Sequence, residues 1–155
     1  MKSVPDIRWP ATSPKNLPEQ PPGYTPLHAE FGARVSGVDL SKPLTAETFK
    51  AIDAAINRYS FLLFENQDMD DRTHLEFTSR FGQLEEEHVT YYSQGKITYI
   101  GRVGNIDPDG NKVTPRQVKA STGNEMWHSD SSFREIPAMY SILSAYEVPD
   151  ERGET

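Results

Sequence analysis

The stretch Asn124-Glu125-Met126-Trp127-His128-Ser129-Asp130-Ser131-Ser132-Phe133 decides how the rest of this 155-residue chain is read. His128 and Asp130 stand two residues apart. In extended backbone, side chains at i and i+2 leave the same side of the chain, and the residue between them leaves the other. An imidazole nitrogen and a carboxylate oxygen can then meet at one divalent cation, with Ser129 turned away. The pattern is short, and a histidine that serves only the structure fits it as well.

Downstream, Met139-Tyr140-Ser141-Ile142-Leu143-Ser144-Ala145-Tyr146 reads as a strand, and Pro149 to Thr155 carries turn chemistry. Upstream, residues 112–123 read as a polar loop, Asn105 to Asn111 as a turn, and Ile97-Thr98-Tyr99-Ile100 as a strand-like run. Two helices come earlier. The first starts behind Thr45 as N-cap, with Glu47 in its first turn and Phe49, Ile52, Ile56 and Tyr59 on one apolar face. Asp70 or Asp71 caps the second, which carries His74, Phe77 and Phe81 on one face and stops at Gly82. Between them Ser60-Phe61-Leu62-Leu63-Phe64 suits a buried strand, and Ala33 to Leu40 reads as strand, turn and strand. Structure is expected to begin near Leu27. Residues 1–26 hold seven of the 12 prolines, too many for helix or central strand, and read as an extended lead-in. Helices early and strands late give an α+β or mostly-β chain of one domain, residues 27–155.

Composition removes several classes of function. With 16 Lys+Arg against 23 Asp+Glu the net charge is −7, which argues against a nucleic-acid partner, because phosphate binding needs clustered positive charge. No cysteine is present, so disulfides, thiolate-bound zinc, iron–sulfur clusters and thiol nucleophiles are excluded. No apolar run approaches the ~20 residues of a membrane span, and the N-terminus lacks the apolar centre of a signal peptide. The expectation is a soluble, cytoplasmic protein with no membrane partner. Only 35% of residues are hydrophobic, so the core is expected to be thin and incomplete.

Of the four histidines, His28 and His74 have no partner at a meaningful spacing and read as structural or surface residues. His88 follows Glu85-Glu86-Glu87, which could attract a cation but reads better as a solvated charge run. That leaves His128 with Asp130. Two histidines, one carboxylate and open positions are the usual set of non-haem Fe(II) oxygenases. The run Trp127 to Phe133, followed by Pro137, Tyr140-Ser141-Ile142-Leu143-Ser144-Ala145 and the ending Gly153-Glu154-Thr155, resembles the TauD/TfdA family of Fe(II)- and 2-oxoglutarate-dependent dioxygenases. So do Gly32 to Leu44, Phe61 to Gln67 and Arg80 to Glu85, in the family's order over about residues 26–155. The wording around Asn124 and Trp127 to Phe133 is closer to the 2,4-dichlorophenoxyacetate branch than to the taurine branch.

The resemblance implies a jelly-roll barrel with two flanking helices, of which this chain is the N-terminal part. It implies that His128 and Asp130 are iron ligands and that the Thr155 hydroxyl binds 2-oxoglutarate, in a turn reading Gly-Glu-Thr where the family has Gly-Asp-Thr. It places Asn124, His88 and Tyr91 near a small organic substrate, such as a carboxylate or sulfonate, hydroxylated by O2 with release of succinate and CO2. Trp127 and Phe133 are expected to be packing side chains. The family's second iron histidine and its 2-oxoglutarate-binding arginine come later than Thr155, and no histidine follows His128 here. The resemblance therefore implies a fragment, a truncated gene model or a degenerate paralogue, inactive by itself. Two other readings stand beside it: a non-catalytic half-domain acting through self-association or a protein partner, and, less well supported for want of an HExxH-type cluster, a zinc hydrolase using His128 and Asp130.

Overall fold

The computed structural model describes residues 21–86, 99–101, 103–104, 111–112, 114–115 and 127–148. The chain divides into two units, Met1–Phe81 and Gly82–Thr155.

The first unit is built around helix α1, Ala46–Tyr59. The Thr45 hydroxyl accepts from the Thr48 backbone N–H at 3.1 Å, which satisfies one of the donors that every helix start leaves open. At the other end Ser60 takes a left-handed conformation (φ 62), and its N–H donates to the Ile56 carbonyl at 2.8 Å. The expected apolar face forms, with its centre at Ile52, 1% exposed; Thr48 and Ala55 are buried beside it, while Phe49, Ile56 and Tyr59 are half-buried. Helix α2, Asp71–Ser79, is capped by Asp70 rather than Asp71. The Asp70 carboxylate accepts from the Thr73 N–H at 2.7 Å and the Thr73 hydroxyl at 2.8 Å, and these bonds hold its pKa below the ordinary range.

Among its described residues this unit also holds three strands: β1 (Gly23–Pro26), β2 (Ala33–Ser36) and β3 (Leu62–Phe64). β1 pairs antiparallel with β2, and β2 parallel with β3, in the order β1-β2-β3. Along β2 the side chains alternate, with Ala33 and Val35 buried and Arg34 and Ser36 exposed. Two expectations change here. Among the described residues regular structure starts at Gly23, ahead of Leu27; β1 tolerates its proline because it is an edge strand, where a missing N–H costs no ladder bond. Ala33 to Leu40 holds one strand, because Gly37 turns the chain away at φ +77 and Leu40 and Ser41 lie in a turn. β3 forms as expected but is half-buried rather than buried, and Phe61 before it is exposed.

Ala33, Val35, Leu40, Ile52, Ala55 and Phe77 make the core. Around it four phenylalanines meet edge-on: Phe49 with Phe81 at 4.9 Å, Phe77 with Phe81 at 5.4 Å and Phe64 with Phe77 at 6.1 Å between ring centres. Such contacts add roughly 0.5–1.5 kcal/mol each beyond area burial. The Arg80 guanidinium lies 4.3 Å from the centre of the Phe49 ring and donates to the Leu44 carbonyl at 2.8 Å.

Gln67 ties the loop after β3 to the loop after β2. Its Oε1 accepts from the Leu40 N–H at 2.7 Å, and its Nε2 donates to the carbonyls of Glu65 at 2.9 Å and Val38 at 3.3 Å. Gln67→Ala is expected to lower the unfolding free energy by roughly 1–3 kcal/mol, because part-buried backbone groups lose their partners. Urea titration followed by circular dichroism reads this directly; an unchanged midpoint would show that water replaces the amide at no cost.

The second unit is described over Gly82 to Glu86, a few residues near 100–115, and residues 127–148. The strand expected over Met139 to Tyr146 is not formed. Side-chain burial still alternates, with residues 140, 142 and 144 half-buried and 141, 143 and 145 exposed. The burial pattern of a strand is thus present without a ladder, which needs a partner segment at strand distance. Tyr99 and Ile100 are likewise outside any strand, while Ile97 and Thr98 lie outside the described residues. Among the described residues no helix is long and apolar enough to cross a membrane.

Candidate metal site

His128 and Asp130 converge. Nε2 of His128 lies 3.3 Å from Oδ1 of Asp130, and both side chains reach solvent, at 44% and 60% exposed. The expected extended backbone does not persist through the pair, because a turn begins at Asp130 and runs to Phe133. Ser131 occupies the left-handed region (φ 55), and its carbonyl accepts from the Arg134 N–H at 2.9 Å. The side chains therefore meet at the mouth of a turn rather than along a strand.

A second interaction reaches the carboxylate from ahead in the chain. Ser141 Oγ donates to Asp130 Oδ2 at 2.8 Å. The turn itself is anchored from behind. Glu85 Oε1 lies 2.8 Å from Arg134 Nε and accepts from Ser131 Oγ at 2.8 Å, and Arg134 also donates to the Glu86 carbonyl at 2.9 Å. This corrects the solvated-run reading for Glu85 alone, which is committed to a half-buried ion pair; Glu86 is exposed, and Glu87 lies outside the described residues. Glu85→Ala is expected to loosen the turn by roughly 1–3 kcal/mol, the usual cost of losing hydrogen bonds to a charged group. Hydrogen exchange at the Arg134 amide would speed up accordingly; an unchanged rate would mean that the turn stands without the pair.

Asn124, His88, Tyr91 and Thr155 lie outside the described residues. Trp127 and Phe133, expected as packing residues, are instead 102% and 84% exposed. Their rings carry apolar area that no neighbouring described side chain covers, although Arg134 lies over the Phe133 ring at 5.4 Å. Ser141, Glu85 and Arg134 were missed in the sequence. Ser141 carried one usable signal, a hydroxyl inside an apolar run. Glu85 and Arg134 carried none, being far apart in the chain.

The donor set suits a divalent cation. Two ligand atoms each ~2.1 Å from an ion lie ~3.0 Å apart at right angles and ~3.4 Å apart at tetrahedral angles. The 3.3 Å between Nε2 and Oδ1 falls in that interval. A neutral imidazole and a carboxylate also match the nitrogen and oxygen preferences of ferrous iron. Two donors do not make a complete site, and among the described residues no group of three or more histidine or acidic side chains could hold a metal ion.

Residues 23–155 match the family model described as "Taurine catabolism dioxygenase TauD, TfdA family", and the chain belongs to that family. Its members are 2-oxoglutarate-dependent dioxygenases that use Fe(II). Among curated relatives, the chain is 34% identical over 136 residues to the alpha-ketoglutarate-dependent 2,4-dichlorophenoxyacetate dioxygenase of Cupriavidus pinatubonensis, covering 84% of this chain and 47% of that protein. It is 31% identical to the (S)-phenoxypropionate/alpha-ketoglutarate-dioxygenase of Sphingobium herbicidovorans, covering 84% and 42%. The chain thus spans about half the length of the curated relatives it matches. Among solved structures it is similar to AAD-2 in complex with Mn(II) and N-oxalylglycine, with 34% identity and a TM-score of 0.69 over 77% of this chain and 43% of that one. A putative alpha-ketoglutarate dependent 2,4-D dioxygenase from Burkholderia xenovorans gives 28% identity and a TM-score of 0.53, over 76% and 35%. The family and branch read from Trp127 to Phe133 are borne out.

Proposed function

We propose that this chain is the N-terminal part of an Fe(II)- and 2-oxoglutarate-dependent dioxygenase with a jelly-roll barrel, in which residues 23–155 contribute to the catalytic domain and the residues before Gly23 lead into it. The observation that carries this reading is the approach of His128 Nε2 to Asp130 Oδ1 at ligand-pair distance. Fe(II) with 2-oxoglutarate and O2 supplies the oxidising power for hydroxylation, with release of succinate and CO2. The chain's own part is to bind and orient. His128 gives a neutral ring nitrogen, and Asp130 gives a negative charge that offsets the ion's. Asp130 is itself held in place from Ser141, and the turn that carries it from Glu85 and Arg134. The Thr155 hydroxyl would orient 2-oxoglutarate. Asn124, His88 and Tyr91 would line the site of a small organic substrate, and the aryloxy acids in the relatives' names make a carboxylate-bearing one the first to try.

The test is succinate release from 2-oxoglutarate with Fe(II) and ascorbate, on this chain and on any longer product of the same locus. Turnover by the longer product, abolished by a chelator, is expected; the 155-residue chain alone should release none. A longer product that binds 2-oxoglutarate and iron without ever forming succinate would overturn the reading.

A second reading, a half-domain that acts by self-association, is favoured by the exposure of Met139, Leu143 and Phe133, since apolar side chains so placed gain from burial against a second copy. Light scattering across concentration separates the two, because a monomer at every concentration speaks against association.

A further inference from the structure

We propose that Ser141 is a positioning residue that restricts Asp130 to one-oxygen binding of a divalent cation, an inference that rests on the metal reading above. The two oxygens of Asp130 have different surroundings. Oδ2 accepts from Ser141 Oγ at 2.8 Å, and Oδ1 faces His128 Nε2 at 3.3 Å. An ionised carboxylate is purely an acceptor, and either oxygen can serve a cation. A hydroxyl on Oδ2 draws that oxygen off, fixes the plane of the carboxylate and leaves Oδ1 as the atom beside the imidazole. The consequence concerns coordination count. A carboxylate that binds through both oxygens takes two positions on the ion, whereas one that binds through Oδ1 alone leaves a position open for another ligand.

The placement of Ser141 supports this role. It lies on the exposed side of the alternating segment 140–145, and Asp130 is also exposed. The bond joins residues eleven apart, so it pins the segment carrying Ser141 to the turn that carries Asp130. An exposed serine with no ligand-positioning role gains little from a bond to an exposed carboxylate. Removing such an outer partner of a ligand typically costs 10–100-fold in metal affinity, whereas substitution of an exposed serine scarcely alters stability.

The experiment is Mn(II) binding to the 155-residue chain, with free Mn(II) read by electron paramagnetic resonance and the hydration of bound Mn(II) read by water-proton relaxation. Ser141→Ala is expected to weaken binding about tenfold or more and to lower the relaxation per bound ion, as Asp130 swings to two-oxygen binding and displaces a water. Ser141→Thr, which keeps the hydroxyl, is expected to restore both. Circular dichroism confirms that the variants are folded. If His128→Ala abolishes binding while Ser141→Ala changes neither affinity nor relaxation, the role of Ser141 is overturned and the metal reading stands. If Mn(II) binds equally well with His128→Ala, the metal reading itself is overturned, and the role of Ser141 with it.

Discussion

Under the proposed function, His128→Ala in a longer product of this locus is expected to lower 2-oxoglutarate turnover by more than ~100-fold, since even loss of an outer partner of a metal ligand costs 10–100-fold. The size of the effect follows from the donor count. Among the described residues His128 Nε2 and the Asp130 carboxylate are the two donors that meet at the site, so removing the imidazole takes away half of what these residues offer a cation. The substitution should leave the fold intact, because His128 is 44% exposed and exposed positions away from caps and cores usually change stability by less than ~0.5 kcal/mol. Succinate assay and thermal unfolding together therefore separate lost chemistry from lost structure. Retained turnover with His128→Ala would remove the imidazole from the reaction.

The largest effect on stability is expected at Ile52. Its side chain is 1% exposed, at the centre of the α1 face that covers the small sheet. Cutting it to alanine removes three carbons from a place with no solvent to refill it, a change that costs roughly 2–5 kcal/mol in well-packed cores. Small units hold only ~5–15 kcal/mol in total and often less, because so little of their surface is buried. Ile52→Ala is thus expected to abolish, or shift by many degrees, the cooperative unfolding of the first unit seen by circular dichroism. Phe61→Ala is the contrast: that ring is half exposed and should cost far less. Equal effects at the two positions would show that the α1 face does not pack as described.

Features that are local in sequence were legible before the structure. Thr45 and Asp70 announce helix starts because a cap and its recipient lie three residues apart. Ile52 sits where the 3.6-residue period puts it. His128 and Asp130 are neighbours, so their meeting could be foreseen even though the backbone that brings it about is a turn. The misreadings arise where pairing decides. β1 was hidden by prolines that are harmless on an edge, and Leu40 was assigned to a strand that Gly37 turns aside. Met139 to Tyr146 shows strand-like alternation without a ladder, because alternation belongs to one segment and a ladder to two. Ser141, and the pairing of Glu85 with Arg134, act across 11 and 49 positions, and no local pattern announces them.

The parallel pairing of β2 with β3, joined through α1, has a consequence for synthesis. All three strands and the helix that covers them lie between Gly23 and Phe64, so every strand pairing is available once residue 64 has left the ribosome. Small domains fold in microseconds to seconds, and translation at ~5–20 residues per second gives the nascent chain several seconds before His128 is polymerised. This segment can therefore be native on the ribosome while His128 and Asp130 are still unmade, and a ribosome stalled near residue 110 should already carry it in protease-resistant form.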